Sequence, residues 1–224
     1  SPASSCDDCS AAPRATVVAP GTDTQTMLQF AEIAAAAARL IVEEGMEYGA
    51  AKRRIARELG VARGHERALP SNEAVEEEVR AYLALFRSDT QPAELAALRR
   101  TALRWMQRMA QFRPHLGGAV WRGTATRLSM IHLDLYADDP KAPEIALINL
   151  GVAYDAGEAG TGRRGEPLSV LSLADRCAEL GEAVTVHLAL HDHDDLRGAL
   201  RCDAQGRSWR GDAKALAQLL EAAA

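Results

Sequence analysis

The hydrophobic period of this chain changes near residue 113, and that change decides what it can fold into. Before it, apolar residues recur every three to four positions. Met27, Phe30, Ala31, Ala34, Ala37, Ala38 and Ile41 form one such stripe, the signature of a helix buried along one side. After it, apolar residues alternate with polar ones. Ile131, Leu133 and Leu135 interleave with His132, Asp134 and Tyr136, and Val184, Val186, Leu188 and Leu190 interleave with Thr185, His187, Ala189 and His191. Period two means strands with one apolar face and one polar face. With 224 residues, 47% of them apolar, the chain is long enough to bury cores of both kinds. The expected class is α+β, a helical N-terminal part packed on a small mixed sheet.

Turn and cap residues divide the chain further. Residues 1–24 carry Ser, Pro and Gly without periodicity and read as a flexible lead-in. A helical region is expected over 25–112. Its helices cover about 25–44, closed by Gly45, and 48–59, closed by Gly60; a third is capped by Ser71 and runs to about Arg87, and a fourth lies between the 89–92 break and about Gln111. Residues 113–224 form the α/β domain. The pattern there predicts a strand at 131–136, a helix over 139–150 stopped by Gly151, and a strand at 152–155. A glycine-rich turn at 156–166 carries Arg163 and Arg164, and further strands are expected near 168–171 and at 184–191. A turn at 203–206 and a final helix over 213–221 capped by Asp212 complete the expectation.

A net charge of −5 and a pI near 5.7 exclude a protein that coats nucleic acid through bulk electrostatics. The basic run Lys52, Arg53, Arg54 and Arg57 leaves a local nucleic-acid contact open. No apolar run is long enough to cross a membrane, and the first residues lack the basic start and apolar core of a secretory signal, so a soluble cytoplasmic protein is expected. Cys6 and Cys9 form a single Cys-x-x-Cys pair, whereas a structural zinc site ordinarily needs two close pairs. The Walker-type phosphate loop, G-x-S-x-G and H-E-x-x-H are all missing from the sequence. The run His191-Asp192-His193-Asp194-Asp195 reads as a solvated turn or helix cap.

Residues 116–135 read L-G-G-A-V-W-R-G-T-A-T-R-L-S-M-I-H-L-D-L. A glycine pair followed about a dozen residues later by a polar-apolar-polar strand resembles the nucleotide entrance of the polymerase-β-like nucleotidyltransferases, whose strand carries Asp-apolar-Asp. Residues 38–60 and the stretch G-T-A-T-R-L-S are similar to a proteobacterial branch of that superfamily with no assigned activity. The resemblance implies a nucleotide site with Gly117, Gly118, Gly123, Thr124 and Ser129 at the phosphates. One register places the two acids at Met130 and His132, the other at His132 and Asp134, and the third acid, on a later strand, falls at His187. The resemblance thus makes His132, Asp134 and His187 the catalytic and metal-ligand candidates. His132 and Asp134 stand about 6.6 Å apart along one strand face. Such a mixed set would suit zinc or manganese better than magnesium, because imidazole is the softer ligand. The expectation is a divergent protein that binds a nucleotide or phosphate-bearing ligand with weak or absent magnesium-dependent transfer. The alternative is a non-enzymatic scaffold whose basic helix docks nucleic acid or protein.

Overall fold

A computed structural model describes residues 21–60, 69–161, 165, 167–198, 202 and 206–222. Helices α1 (Gly21–Glu44), α2 (Tyr48–Glu58), α3 (Asn72–Phe86) and α4 (Gln91–Arg108) come first, followed by a short 3₁₀ turn, Ala110–Phe112. The sheet then forms around β1 (His115–Gly117), β2 (Ile131–Ala137), β3 (Asp155–Thr161), β4 (Pro167–Cys177) and β5 (Glu182–Asp192). The five-residue helix α5 (Gly118–Arg122) joins β1 to β2, α6 (Ala142–Asn149) follows β2, and α7 (Ala213–Ala222) ends the described chain. The strand order is β1-β2-β5-β4-β3, and only the β2/β5 pair is parallel. The α+β expectation therefore holds.

Two cores share the work. In the first, the small faces of α1 (Ala34, Ala37, Ala38) let α2 and α3 approach closely, and Ile33, Ile41, Ile55, Val75, Val79 and Leu83 fill the space between them. The second lies under the sheet, where Ile131, Leu133 and Leu135 of β2 meet Val186 and Leu188 of β5 and Leu171 and Leu173 of β4. Its cover is mainly α4, through Leu98, Ala102, Trp105, Met106 and Met109, with Leu147 of α6 and Leu216 of α7 beside it. The helix after β2 contributes Leu147 to this cover and leaves Ile145 and Ile148 exposed. α4, grouped by the sequence with the helical part, packs into the sheet's core.

The caps follow local chemistry. Ser71 accepts a hydrogen bond from the Ala74 amide at 3.1 Å, and Asp212 accepts one from the Ala215 amide at 2.8 Å. The first helix begins at Gly21, inside the expected lead-in, and β3 runs through the stretch expected to be a glycine-rich turn. The β3/β4 pairing explains the second difference: backbone hydrogen bonds across the register Asp155↔Ser172 to Glu158↔Ser169 hold Gly157 in a strand that its own propensity disfavours. The Cys6/Cys9 pair, Arg163, Arg164 and most of the 203–206 turn lie outside the described residues. Among the described residues, no helix is long and apolar enough to cross a membrane.

The two cores are joined by a buried ion pair. Arg122 of α5 donates to both carboxylate oxygens of Glu76 on α3, at 2.8 to 3.0 Å, and both side chains are 5% exposed. Arg80 also reaches Glu76, at 2.5 Å, and the Trp209 ring lies 4.5 Å beneath the Arg122 guanidinium.

Candidate functional site

Strand register gathers the polar groups. His132 is paired in register with His187 and Tyr136 with His191 across β2/β5, Ser172 with His187 across β4/β5, and His115 with Asp134 across β1/β2. Because side chains alternate along a strand, these residues share one face of the sheet, opposite the core.

On that face the imidazoles of His132 and His187 stack with centroids 5.3 Å apart. His187 Nε2 lies 2.8 Å from the Met130 sulfur and Nδ1 lies 2.8 Å from the Ser172 hydroxyl. A thioether sulfur only accepts, so the proton sits on Nε2 and Nδ1 accepts from the Ser172 hydroxyl. Burial, reinforced by His132, lowers the His187 pKa and favours this neutral ring. His132 Nε2 faces a Glu47 oxygen at 3.5 Å, and this imidazole contact lowers the Glu47 pKa against the opposing effect of burial.

Asp134 is held separately. His191 Nε2 lies 2.9 Å from one carboxylate oxygen, and Arg210 donates to the other. Burial alone would raise the Asp134 pKa; the His191 hydrogen bond and the Arg210 charge outweigh it, and the net shift is downward. Tyr136 stacks on His191 at 5.2 Å and meets His115 edge-on at 5.5 Å. Its hydroxyl pKa is pushed up to about 12 by burial and by the Asp134 charge.

An open hollow of about 460 Å³ lies over this face, lined by Glu47, Met130, His132, Asp134, Glu158, Ser172 and His187 with Leu168, Val170 and Ala189 as an apolar wall. A smaller hollow of about 150 Å³ adjoins it, sharing Glu47, Met130 and His132 and adding Gly118, Ser129 and Tyr48. The structure thus brings His132, Asp134 and His187 to one concavity and sets Gly118 and Ser129 at its edge. Gly118 has φ +64°, and a Cβ there would stand 3.2 Å from the His132 ring. The imidazole therefore borders the space that a side chain at position 118 would need.

Gly123 and Thr124 were expected at the phosphate, but they lie at the other end of α5 and line neither hollow. Gly123 closes α5 with φ +83°, and Thr124 is 2% exposed, with its amide on the Ala119 carbonyl and its hydroxyl 3.4 Å from that of Tyr48. The carbonyls of this segment are tied off by side chains from α3 and α4. Arg80 donates to Arg122, Arg99 to Val120 and Trp121, and Gln91 to Gly123 and Ala125. The Ser129 hydroxyl accepts from the Thr126 amide at 3.0 Å. The G-T-A-T-R-L-S stretch is a braced connection that fixes where β2 begins.

The donor set does not fit the expected zinc or manganese ion. Asp134 is committed to His191 and Arg210, His187 to Ser172 and Met130, and no group of three or more His, Cys, Asp or Glu among the described residues is placed to hold a metal ion. Two of the four cations of the basic run are occupied: Arg54 pairs with Glu44 and Glu58, and Lys52 with the Pro70 carbonyl and Asn72. Glu47, Ser172, His191 and Arg210 were not expected at the site. Only His191 had a signal, since the alternation of β5 runs through it into the acidic stretch read as a turn.

The chain is thus an α+β protein with a polar hollow on the coreless face of a mixed sheet. No family model matches it, and no curated protein is similar to it. Two solved structures are similar over part of the chain. One is Cid1 in complex with the UTP analogue UMPNPP, at 14% identity and a TM-score of 0.32, covering 51% of this chain and 36% of that one. The other is Cid1 poly(U) polymerase with MgGTP bound, at 12% identity and a TM-score of 0.32, covering 51% and 38%. Likeness at this level assigns neither a family nor an activity.

Proposed function

We propose that this protein is a divergent nucleotidyltransferase-like protein that binds a nucleotide or another phosphate-bearing ligand in the hollow beside Gly118, with weak or absent magnesium-dependent transfer. One observation carries the reading: His132, Asp134 and His187 converge on a single concavity in which the Asp134 charge is already countered by Arg210 and His191. Countering the Asp134 charge removes the buried source of repulsion toward a phosphate, which leaves the Gly118 end, away from Glu158, as the place for it. Gly118 at the edge leaves backbone within reach of an anion, where a side chain would intrude. Glu47 and Glu158 are acceptors suited to sugar hydroxyls. Magnesium-supported transfer needs carboxylate oxygens for near-octahedral ions, and the one acid on β2 is engaged elsewhere.

Titration calorimetry with nucleoside mono-, di- and triphosphates, with and without magnesium, tests this. Binding heat without transfer is expected, and Gly118→Val should abolish it. Silence with every nucleotide would leave the scaffold reading in place, and robust magnesium-dependent transfer lost on Asp134→Ala would overturn the assignment of weak chemistry.

A further inference from the structure

A second hollow, of about 400 Å³, sits at the corner between the end of α4, the start of β1 and α7. It shares none of the residues that line the two hollows of the polar face, meets that face only through His115, and has largely apolar walls formed by Met106, Ala110, Pro114 and Leu196, with Gln107 beside them. Two cations stand at it, Arg113 and Lys214; both are exposed, and neither has a partner among the described residues. The carboxylate that accompanies them, Asp212, is engaged in capping α7 through the Ala215 amide at 2.8 Å. The mouth therefore carries a net positive charge over an apolar floor.

Arg113 is held there against its own backbone preference. It has φ 47° and ψ 57°, the left-handed region, and it is the one non-glycine residue with positive φ among those described. The position closes a 3₁₀ turn, where glycine is the usual occupant, and it precedes Pro114, which restricts it further. A buried group braces the strained turn. His115 is 6% exposed, and its Nδ1 donates to the Arg113 carbonyl at 2.9 Å. An arginine kept where glycine would fit at lower cost points to its side chain as the reason.

We infer that this corner binds an amphipathic monocarboxylate, its head on the Arg113 guanidinium with Lys214 beside it and its alkyl chain along the apolar wall. The guanidinium fork matches a carboxylate in two hydrogen bonds. Two cations against one engaged acid suit a monoanion better than a polyphosphate, and the walls exclude a fully polar ligand. The inference stands apart from the nucleotide site and does not depend on it.

Calorimetry on the full chain with sodium octanoate, octylammonium chloride and 1-octanol tests it. Octanoate should bind, octylammonium should give no heat, and octanol should bind at least about tenfold more weakly. Arg113→Gly should reduce octanoate affinity about ten- to a hundredfold, as expected for a lost charge-assisted contact. The melting temperature of that variant should stay level or rise, because glycine adopts the left-handed turn freely. Lys214→Ala should give a smaller loss in the same direction. The inference fails if octanoate gives no heat, if octanol binds as tightly as octanoate, or if Arg113→Gly binds octanoate unchanged.

Discussion

Breaking the Glu76/Arg122 pair should unfold the protein more readily than any exposed substitution, and unequally from its two ends. Both side chains are 5% exposed and the contact is bidentate. Removing one partner of such a pair leaves a buried charge unmatched and costs ~3–5 kcal/mol. Glu76→Gln takes the shared carboxylate away from both Arg122 and Arg80, so it should incur the larger loss of the two. Arg122→Met leaves Glu76 still facing Arg80, whose side chain is 33% exposed, and this remaining contact recovers about 1 kcal/mol, as partly exposed pairs do. In urea unfolding followed by circular dichroism, with a slope of about 2.5 kcal/mol/M, Glu76→Gln should lower the midpoint by about 1–2 M at unchanged slope. The double variant Glu76→Met with Arg122→Met should lose less than the sum of the single changes by about 2 kcal/mol or more, since both charges leave together. Single variants costing under about 1 kcal/mol, or strictly additive losses, would refute the claim that this pair bonds the helical core to the sheet.

Three further outcomes follow from local geometry. Gly211→Ala should destabilise by at least ~2 kcal/mol, because an added Cβ would lie 2.0 Å from the Trp121 ring in the segment that bridges Leu116; an unchanged thermal midpoint would show that this segment moves aside freely. Asp134→Asn should flatten the acid limb of the stability profile. The folded Asp134 pKa is lowered, so its stabilisation is present above the unfolded value and is lost as pH falls through the folded one; a variant with the wild-type acid limb would show that His191 and Arg210 do not stabilise the carboxylate. Gly118→Ala should cost ~1–3 kcal/mol from left-handed strain and contact with His132, and a neutral melting temperature would contradict that geometry.

The sheet was legible because period two is a physical requirement of any strand with one buried face, and β2 and β5 both satisfy it. The caps at Ser71 and Asp212 were legible for the same kind of reason, since a short oxygen-bearing side chain at that offset satisfies an amide that the helix itself leaves open. β3 was not. Its glycines signal a turn, and only pairing with β4, a contact made after folding, overrides them. The place of α4 was hidden as well, because an apolar stripe at helical spacing says that one face is buried and not which core receives it.

The site divides along the same line. Positions within one strand were readable, so His132 and Asp134 were placed on one face, whereas the register that sets His187 beside His132 comes from the pairing of β2 with β5. What those groups are bonded to depends on chain segments far away: Arg210 reaches Asp134 from beyond β5, and Glu47 reaches His132 from the turn between α1 and α2. The glycine run shows the limit most sharply. Gly118 and Gly123 both have positive φ and stand at opposite ends of one five-residue helix, yet only Gly118 borders the hollow. Gly123 has its carbonyl taken by Gln91 and the Arg99 guanidinium 3.6 Å from where its Cβ would be. A sequence records that a left-handed residue is needed at each end and is silent on which end faces open space. Side chains from α3 and α4 cover the Gly123 end of α5, and of the two ends it is Gly118 that borders the hollow among the described residues.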